Sequence, residues 1–259
     1  MGNSFVNTSA FYSSDLIFNN SCHNMTIATI FFTILSFVCF TKADVSFDIQ
    51  NKCPFTVWPG VAPNSGHMVI AGGGFALPPG GSLNIQAPFD WNGRIWGRTG
   101  CDFSGGKVPS CDTGDCGNSM QCYGNSGAPP ATLVEMTLQN GRNVFDVSII
   151  DGYNIPVRVV SKDMPNCVIE GCSKDLNAQC PTVLRQMNRN NAVVACKGAC
   201  LAFHTDLYCC TGAYRISESC KPNEYNAIFK DACPHYQSRA FESLPLNCVS
   251  NNFAITFCP

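Results

Sequence analysis

Val45-Ser46-Phe47-Asp48-Ile49-Gln50-Asn51-Lys52-Cys53 reads as a half-buried strand running into a cysteine. Val45, Phe47 and Ile49 alternate with Ser46, Asp48 and Gln50, and a period of two puts the two sets on opposite faces of a pleated strand. The other end of the sequence has a similar form: Phe253–Phe257 is strand-like and Cys258 follows it. Strands at both ends, each beside a cysteine, suggest a Cys53–Cys258 bridge fastening the termini. Between them, Phe55–Trp58, Leu83–Ala87, Thr132–Leu138, Val144–Ile150 and Val157–Val160 continue the β pattern, separated by turns rich in Gly, Pro and Asn. The predicted fold is mainly β, a sandwich or flattened barrel.

Two stretches break this pattern. Residues 99–130 hold Cys101, Cys111, Cys116 and Cys122 among Gly, Ser, Asp and Pro, with almost no apolar periodicity. Such a segment buries no core of its own, so covalent closure must supply its order. Residues 167–234 hold nine Cys and the best helical candidates, Asn191–Phe203 and a short turn near Tyr225–Phe229. Cys209 and Cys210 are adjacent; a bond between neighbours is strained, so each is expected to pair elsewhere.

The chain has 18 Cys in 259 residues, and two of them, Cys22 and Cys39, lie in or before an apolar N-terminal run. The remaining 16 fall between Cys53 and Cys258, an even, dense set of the kind that forms a disulfide framework outside the reducing cytosol. Spacing alone leaves on the order of two million full pairings open. The four His stand at no finger-like spacing from a Cys pair, so neither metal nor another cofactor is expected. Met25–Ala43 reads as an export signal. Its 14-residue core, Ile27–Phe40, is too short for a bilayer of about 30 Å, and Thr41-Lys42-Ala43 places small residues for cleavage before Asp44. Residues 1–24 are polar and patternless, an upstream extension expected to be disordered; the N-x-S/T sequons at Asn7, Asn19 and Asn24 all fall there. With Lys42 and Asp15 set aside, 44–259 carries 15 basic and 17 acidic side chains and no polybasic run. Nucleic acid and anionic membranes are therefore poor partners, and a secreted, monomeric protein without stable membrane insertion is expected.

Six short strings stand out: Asn51-Lys52-Cys53-Pro54-Phe55-Thr56-Val57-Trp58, Arg94-Ile95-Trp96-Gly97-Arg98-Thr99-Gly100-Cys101, Cys111-Asp112-Thr113-Gly114-Asp115-Cys116, Ala128-Pro129-Pro130-Ala131-Thr132-Leu133, Asp151-Gly152-Tyr153-Asn154 and Tyr208-Cys209-Cys210-Thr211-Gly212-Ala213-Tyr214. Together they resemble one family, the plant thaumatin-like (pathogenesis-related) proteins. The resemblance covers 44–259. It implies a thaumatin-like β-sandwich with a disulfide-rich helical lobe (167–234) and a small disulfide-looped lobe (99–130). It also implies the pairs Cys53–Cys258, Cys101–Cys111, Cys116–Cys122, Cys167–Cys248, Cys172–Cys233, Cys180–Cys196, Cys200–Cys209 and Cys210–Cys220. Finally, it implies an acidic cleft lined by Arg94, with Arg98 as a neighbour, and by Glu135, Asp146, Asp151 and Glu242, the last standing where the family has Asp. The 107–110 and 117–121 loops depart from the family signature.

The residues themselves are compatible with that cleft. Glu135 lies opposite Val134 and Met136 on its strand, and Asp146 opposite Phe145 and Val147. Asp146 and Asp151, five apart, would face opposite ways on one straight strand, but Asp151-Gly152 is a turn signal that can swing the carboxylate back. A carboxylate pair with one member kept protonated can hydrolyse a glycosidic bond; Glu135 is the expected acid and Asp146 its partner, with Arg94 balancing charge or holding a sugar hydroxyl. Blander roles compete. Asp115 reads as a cap for loop amides, Asp102 and Asp112 as solvated charges, His204 and His235 as structural, and at least two of Trp58, Trp91 and Trp96 as core. The expected function is apoplastic, antifungal plant defence by binding β-1,3-glucan or another cell-wall polysaccharide. The alternatives are a weak endo-β-1,3-glucanase and an inhibitor of a microbial secreted enzyme, the latter with a microbial secreted protein as partner.

Overall fold

A computed structural model describes residues 44–104, 110–139, 142–242 and 245–259, so the extension, the export signal, the sequons and most of the 107–110 loop lie outside the described residues. In chain order the strands are β1 (Val45–Asn51), β2 (Trp58–Pro63), β3 (Ser82–Ala87), β4 (Asn92–Arg98), β5 (Leu133–Gln139), β6 (Arg142–Ser148), β7 (Gly152–Tyr153), β8 (Val157–Ser161), β9 (Val168–Ile169), β10 (Arg185–Met187), β11 (Val193–Lys197), β12 (Leu246–Val249) and β13 (Asn252–Phe257). The helices are α1 (Leu176–Gln179), α2 (Ala199–Phe203), α3 (Asp206–Cys209) and α4 (Glu224–Ala232).

Two five-stranded sheets form the body, in orders β3-β1-β13-β8-β9 and β12-β6-β5-β4-β2; β10-β11-β7 makes a smaller third sheet. The alternation in β1 is realised residue by residue: Val45, Phe47 and Ile49 are buried and Ser46, Asp48 and Gln50 are not. The two ends of the described chain lie side by side, because β1 pairs with β13 in parallel, Phe47 opposite Phe253 and Ile49 opposite Ile255. The core lies between the two large sheets, where Phe145 of β6 meets Phe253 of β13 edge to face at 5.3 Å. Phe47 packs on both Phe253 and Trp91, at 6.1 and 6.0 Å. The fold is mainly β with short helices and many disulfides.

Two expectations need correcting. The strand placed at Phe55–Trp58 begins only at Trp58. The Asn51 side chain accepts from Cys53 N and donates to the carbonyls of Phe55 and Leu77, holding Lys52–Phe55 in a turn. The helix placed at Asn191–Phe203 is a strand, β11, followed by a helix of five residues, α2. β-branched Val193 and Val194 favour the strand. Gly198 separates the two elements where a Cβ would come within 2.0 Å of the Ile150 carbonyl oxygen.

Eight disulfides tie the outlying segments down. Cys101–Cys111 and Cys116–Cys122 close loops in 99–130, where the described residues form no strand beyond an isolated Thr99–Thr113 bridge. Cys172–Cys233, Cys180–Cys196, Cys200–Cys209 and Cys210–Cys220 cross-link the segment holding the helices. Cys167–Cys248 joins that segment to β12, and Cys53–Cys258 links the ends of β1 and β13.

Candidate functional site

β4, β5 and β6 are consecutive antiparallel neighbours, and their register aligns three charged residues across the sheet: Arg94 opposite Glu135, and Glu135 opposite Asp146. Directly opposed residues have Cβ atoms about 4.5–5.5 Å apart. All three are half-buried, while Ile95, Val134, Met136, Phe145 and Val147 beside them on the same strands are buried in the core. The row therefore occupies the face of this sheet turned away from the sandwich interior.

Within the row, Asp146 bears the strain. Burial, and then the neighbouring Glu135 carboxylate, push its carboxyl up to about 7. Its Oδ1 is buried without a hydrogen-bond partner among the described residues. Arg94 forms no ion pair with a described residue; its Nη2 lies 3.4 Å from Asn64 Oδ1. Asn64 in turn donates to Asn92 Oδ1 at 2.7 Å, and Thr137 donates to the same oxygen. The chemistry on offer is one guanidinium, one carboxyl poised to hold a proton near neutrality, and a second carboxyl beside it.

The other residues read as cleft members are placed differently. Asp151 is exposed in the turn between β6 and β7. Glu242 follows a segment laid along the edge of β6, where Gln237 N donates to the Val147 carbonyl and Ile149 N to the Gln237 carbonyl, both at 2.8 Å. The Glu242 carboxylate is engaged there, accepting from Lys230 Nζ and Ser238 N, each at 2.8 Å. Burial alone would raise its pKa, but Lys230 and Ser238 outweigh that and hold it below the usual range. Arg98 is not a neighbour of the row in function: it is fully buried, and it donates to the backbone carbonyls of Trp58, Pro59, Ser119 and Met120. Burial pulls it down to about 10 in spite of the nearby Asp115. Asp115 does cap loop amides, accepting from the backbone N of Cys111, Gly117 and Asn118. Trp91 and Trp96 are wholly buried, and only Trp58 reaches solvent, half-buried. No cluster of three or more His, Cys, Asp or Glu among the described residues could hold a metal ion.

Two residues at the row carried no signal in the sequence. Asn64, in Pro63-Asn64-Ser65-Gly66, reads as a turn former, and only the β2–β4 pairing shows that it reaches Arg94. Gln237 joins β6 through its backbone, which its residue type does not announce.

The model of the thaumatin family matches residues 51–259. This chain belongs to the thaumatin family. Pathogenesis-related protein 5 of Arabidopsis thaliana is 46% identical over 218 residues, 82% of this chain and 90% of that protein. A relative from Prunus avium, a glucan endo-1,3-beta-glucosidase by name, is 38% identical over 234 residues, 88% of this chain and 96% of that one. Among solved structures, a laminaripentaose-producing beta-1,3-glucanase in complex with laminaritetraose superposes with a TM-score of 0.59. It is only 10% identical, and the match covers 85% of this chain and 99% of that chain. At that identity the likeness is one of fold. The thaumatin match takes in every described strand from β2 onward and all the disulfide-linked segments, and it reaches only the last residue of β1.

Proposed function

We propose that this thaumatin-family chain is a secreted defence protein that binds β-1,3-glucan along the outer face of β4, β5 and β6. One observation carries the reading. Arg94, Glu135 and Asp146 stand in a single cross-strand row, with the Asp146 carboxyl shifted to about 7 and one of its oxygens unpartnered. A sugar hydroxyl donating to that oxygen would relieve a buried acceptor, which is worth about 1–3 kcal/mol where the group is otherwise unsatisfied. Arg94 offers donors to ring or hydroxyl oxygens from the other end of the row. The sixteen cysteines of 44–259, all paired, suit an oxidising, extracellular setting, and no described helix is long and apolar enough to cross a membrane.

The test is isothermal titration with laminarihexaose. Glu135→Gln and Asp146→Asn should each weaken binding by about tenfold, near 1.4 kcal/mol. Unchanged affinity in both variants would remove the row from the site.

A second reading, weak endo-β-1,3-glucanase activity, is favoured by the same pair and by the name of the Prunus avium relative. The roles then differ from the sequence-based expectation. Asp146, the carboxyl that holds its proton, protonates the leaving glycosidic oxygen, and Glu135 attacks the anomeric carbon. A water then releases the sugar, giving its proton back to Asp146. Neighbouring-strand placement favours this retaining geometry over the wider inverting one. Reducing-sugar release should fall as pH rises through about 7, and anomer-resolved NMR should show retention.

A further inference from the structure

We infer that a second saccharide site, distinct from the Arg94–Glu135–Asp146 row, lies where the start of β2 meets α1 and β11. A cavity of about 460 Å³ opens there, within the range of about 300–1,000 Å³ usual for small-molecule sites. Its walls include Phe55, Thr56, Trp58, Thr99, Asp112 and Asn177. A second cavity of about 430 Å³ shares Gly100 and Asp112 with it and continues past Asn188 and Arg189. The pair make a groove long enough for more than one ring of a chain ligand. Trp58 stands opposite Arg98 in the β2–β4 register, four residues along β4 from Arg94. That is about 13 Å at the rise of a strand.

The lining selects the ligand class. Phe55 is 43% exposed and Trp58 is half-buried rather than in the core, although both are large aromatics. Asn177 donates its Nδ2 to the Asn154 carbonyl at 2.8 Å, while its buried Oδ1 has no partner among the described residues. An apolar ligand would cover Phe55 and Trp58 but leave the Asn177 oxygen unpaired and take water from the Asp112 carboxylate, which accepts from Asn188 Nδ2 at 3.3 Å, and both are costly. An anionic ligand would meet the carboxylates of Asp112 and Asp102, with Arg189 at the far end the one cation among the described lining residues. A neutral pyranose meets both demands. Its C–H faces carry slight positive charge and stack on the negative faces of aromatic rings, and its rim of hydroxyls donates to amide and carboxylate oxygens.

The geometry supplies its own reporter. Of the three tryptophans only Trp58 is solvent-accessible, so stacking at this site alters the emission of that residue, whereas the two buried indoles are shielded. The experiment titrates the protein with neutral hexasaccharides (laminarihexaose, cellohexaose, xylohexaose and chitohexaose), following tryptophan fluorescence and heat in parallel. The expected result is saturable binding of at least one sugar with a Trp58 emission change. Affinity at the Trp58 site should weaken about tenfold in Phe55→Ala and in Trp58→Ala and be unchanged in Val249→Ala, which trims an exposed side chain of β12. Phe55 is exposed in a turn, so Phe55→Ala keeps the test valid should Trp58→Ala fail to fold. The inference is overturned if no sugar of the panel binds saturably. It is equally overturned if binding survives Phe55→Ala and is lost in Glu135→Gln, a result that leaves the β4–β6 row as the sugar site.

Discussion

Asp146 sits beside a second carboxylate on an apolar sheet, and both circumstances favour its protonated form. A carboxyl whose folded pKa exceeds its unfolded value contributes stability that is fully present below about pH 4. That contribution is lost progressively as pH rises through about 7, because the unfolded chain then binds fewer protons than the folded one. Asp146→Asn removes the titration while keeping the shape. The variant should therefore gain in melting temperature over the parent at pH 8 and lose that gain at pH 4, with each kcal/mol read as about 2–4 °C in a domain of this size. Differential scanning calorimetry across that range checks it; a difference that does not vary with pH would mean that Asp146 titrates alike in the folded and unfolded chains. The alternation about Val134, Met136, Phe145 and Val147 was enough to put Glu135 and Asp146 on the outer faces of their strands. Which of the two keeps the proton was not legible, since it depends on burial and on the neighbour across the sheet, neither of which is a property of the residue type.

At the scale of elements, β4 is the strand the pattern concealed. Asn92-Gly93-Arg94-Ile95-Trp96-Gly97-Arg98 contains two glycines and two arginines, and it does not alternate like a half-buried strand. The glycines are there because a Cβ would have no room: at Gly97 it would stand 2.6 Å from Ile155 Cδ1 and 3.0 Å from a Phe257 ring carbon. Arg98 is buried because it satisfies backbone carbonyls of β2 and of the loop closed by Cys116–Cys122, with Phe103 over its guanidinium at 5.5 Å. Replacing it by Met, similar in length but without donors, strands those carbonyls in the interior. The expected cost is roughly 3–5 kcal/mol, together with faster proteolysis of the 116–122 loop. Urea unfolding and limited proteolysis measure the two effects; a loss under 1 kcal/mol would show that water replaces the guanidinium. The helix expected over β11 fails for the opposite reason, because the Gly198 break falls inside a segment whose only polar side chains are Asn191 and Lys197.

Across the whole molecule, the sandwich closes by laying its first strand beside its last, in parallel, with Cys53–Cys258 spanning 205 residues of sequence. Cross-linking a loop of that length lowers the entropy of the unfolded chain by about 5 kcal/mol on the chain-entropy argument, less the share already removed by the bridges inside it. Cys53→Ser combined with Cys258→Ser should cost about 2–5 kcal/mol, expose the terminal strands to amide exchange first, and leave the β4–β6 row intact. Hydrogen exchange read by mass spectrometry tests the order of opening. If β5 and β6 exchanged as early as β1, the two sheets would not be separable in stability.

The chain alone determined that this is a β-rich, disulfide-bonded protein of the thaumatin family, because period-two alternation, an even cysteine set and distinctive short strings are all local properties of sequence. Only the tertiary structure decided that Arg94, Glu135 and Asp146 share one row, that Glu242 is drawn into an ion pair with Lys230, and that Arg98 lies inside. It also decided which of three tryptophans meets solvent. Those outcomes depend on strand order, register and the depth at which a side chain comes to rest, and each couples residues tens of positions apart that no local pattern connects.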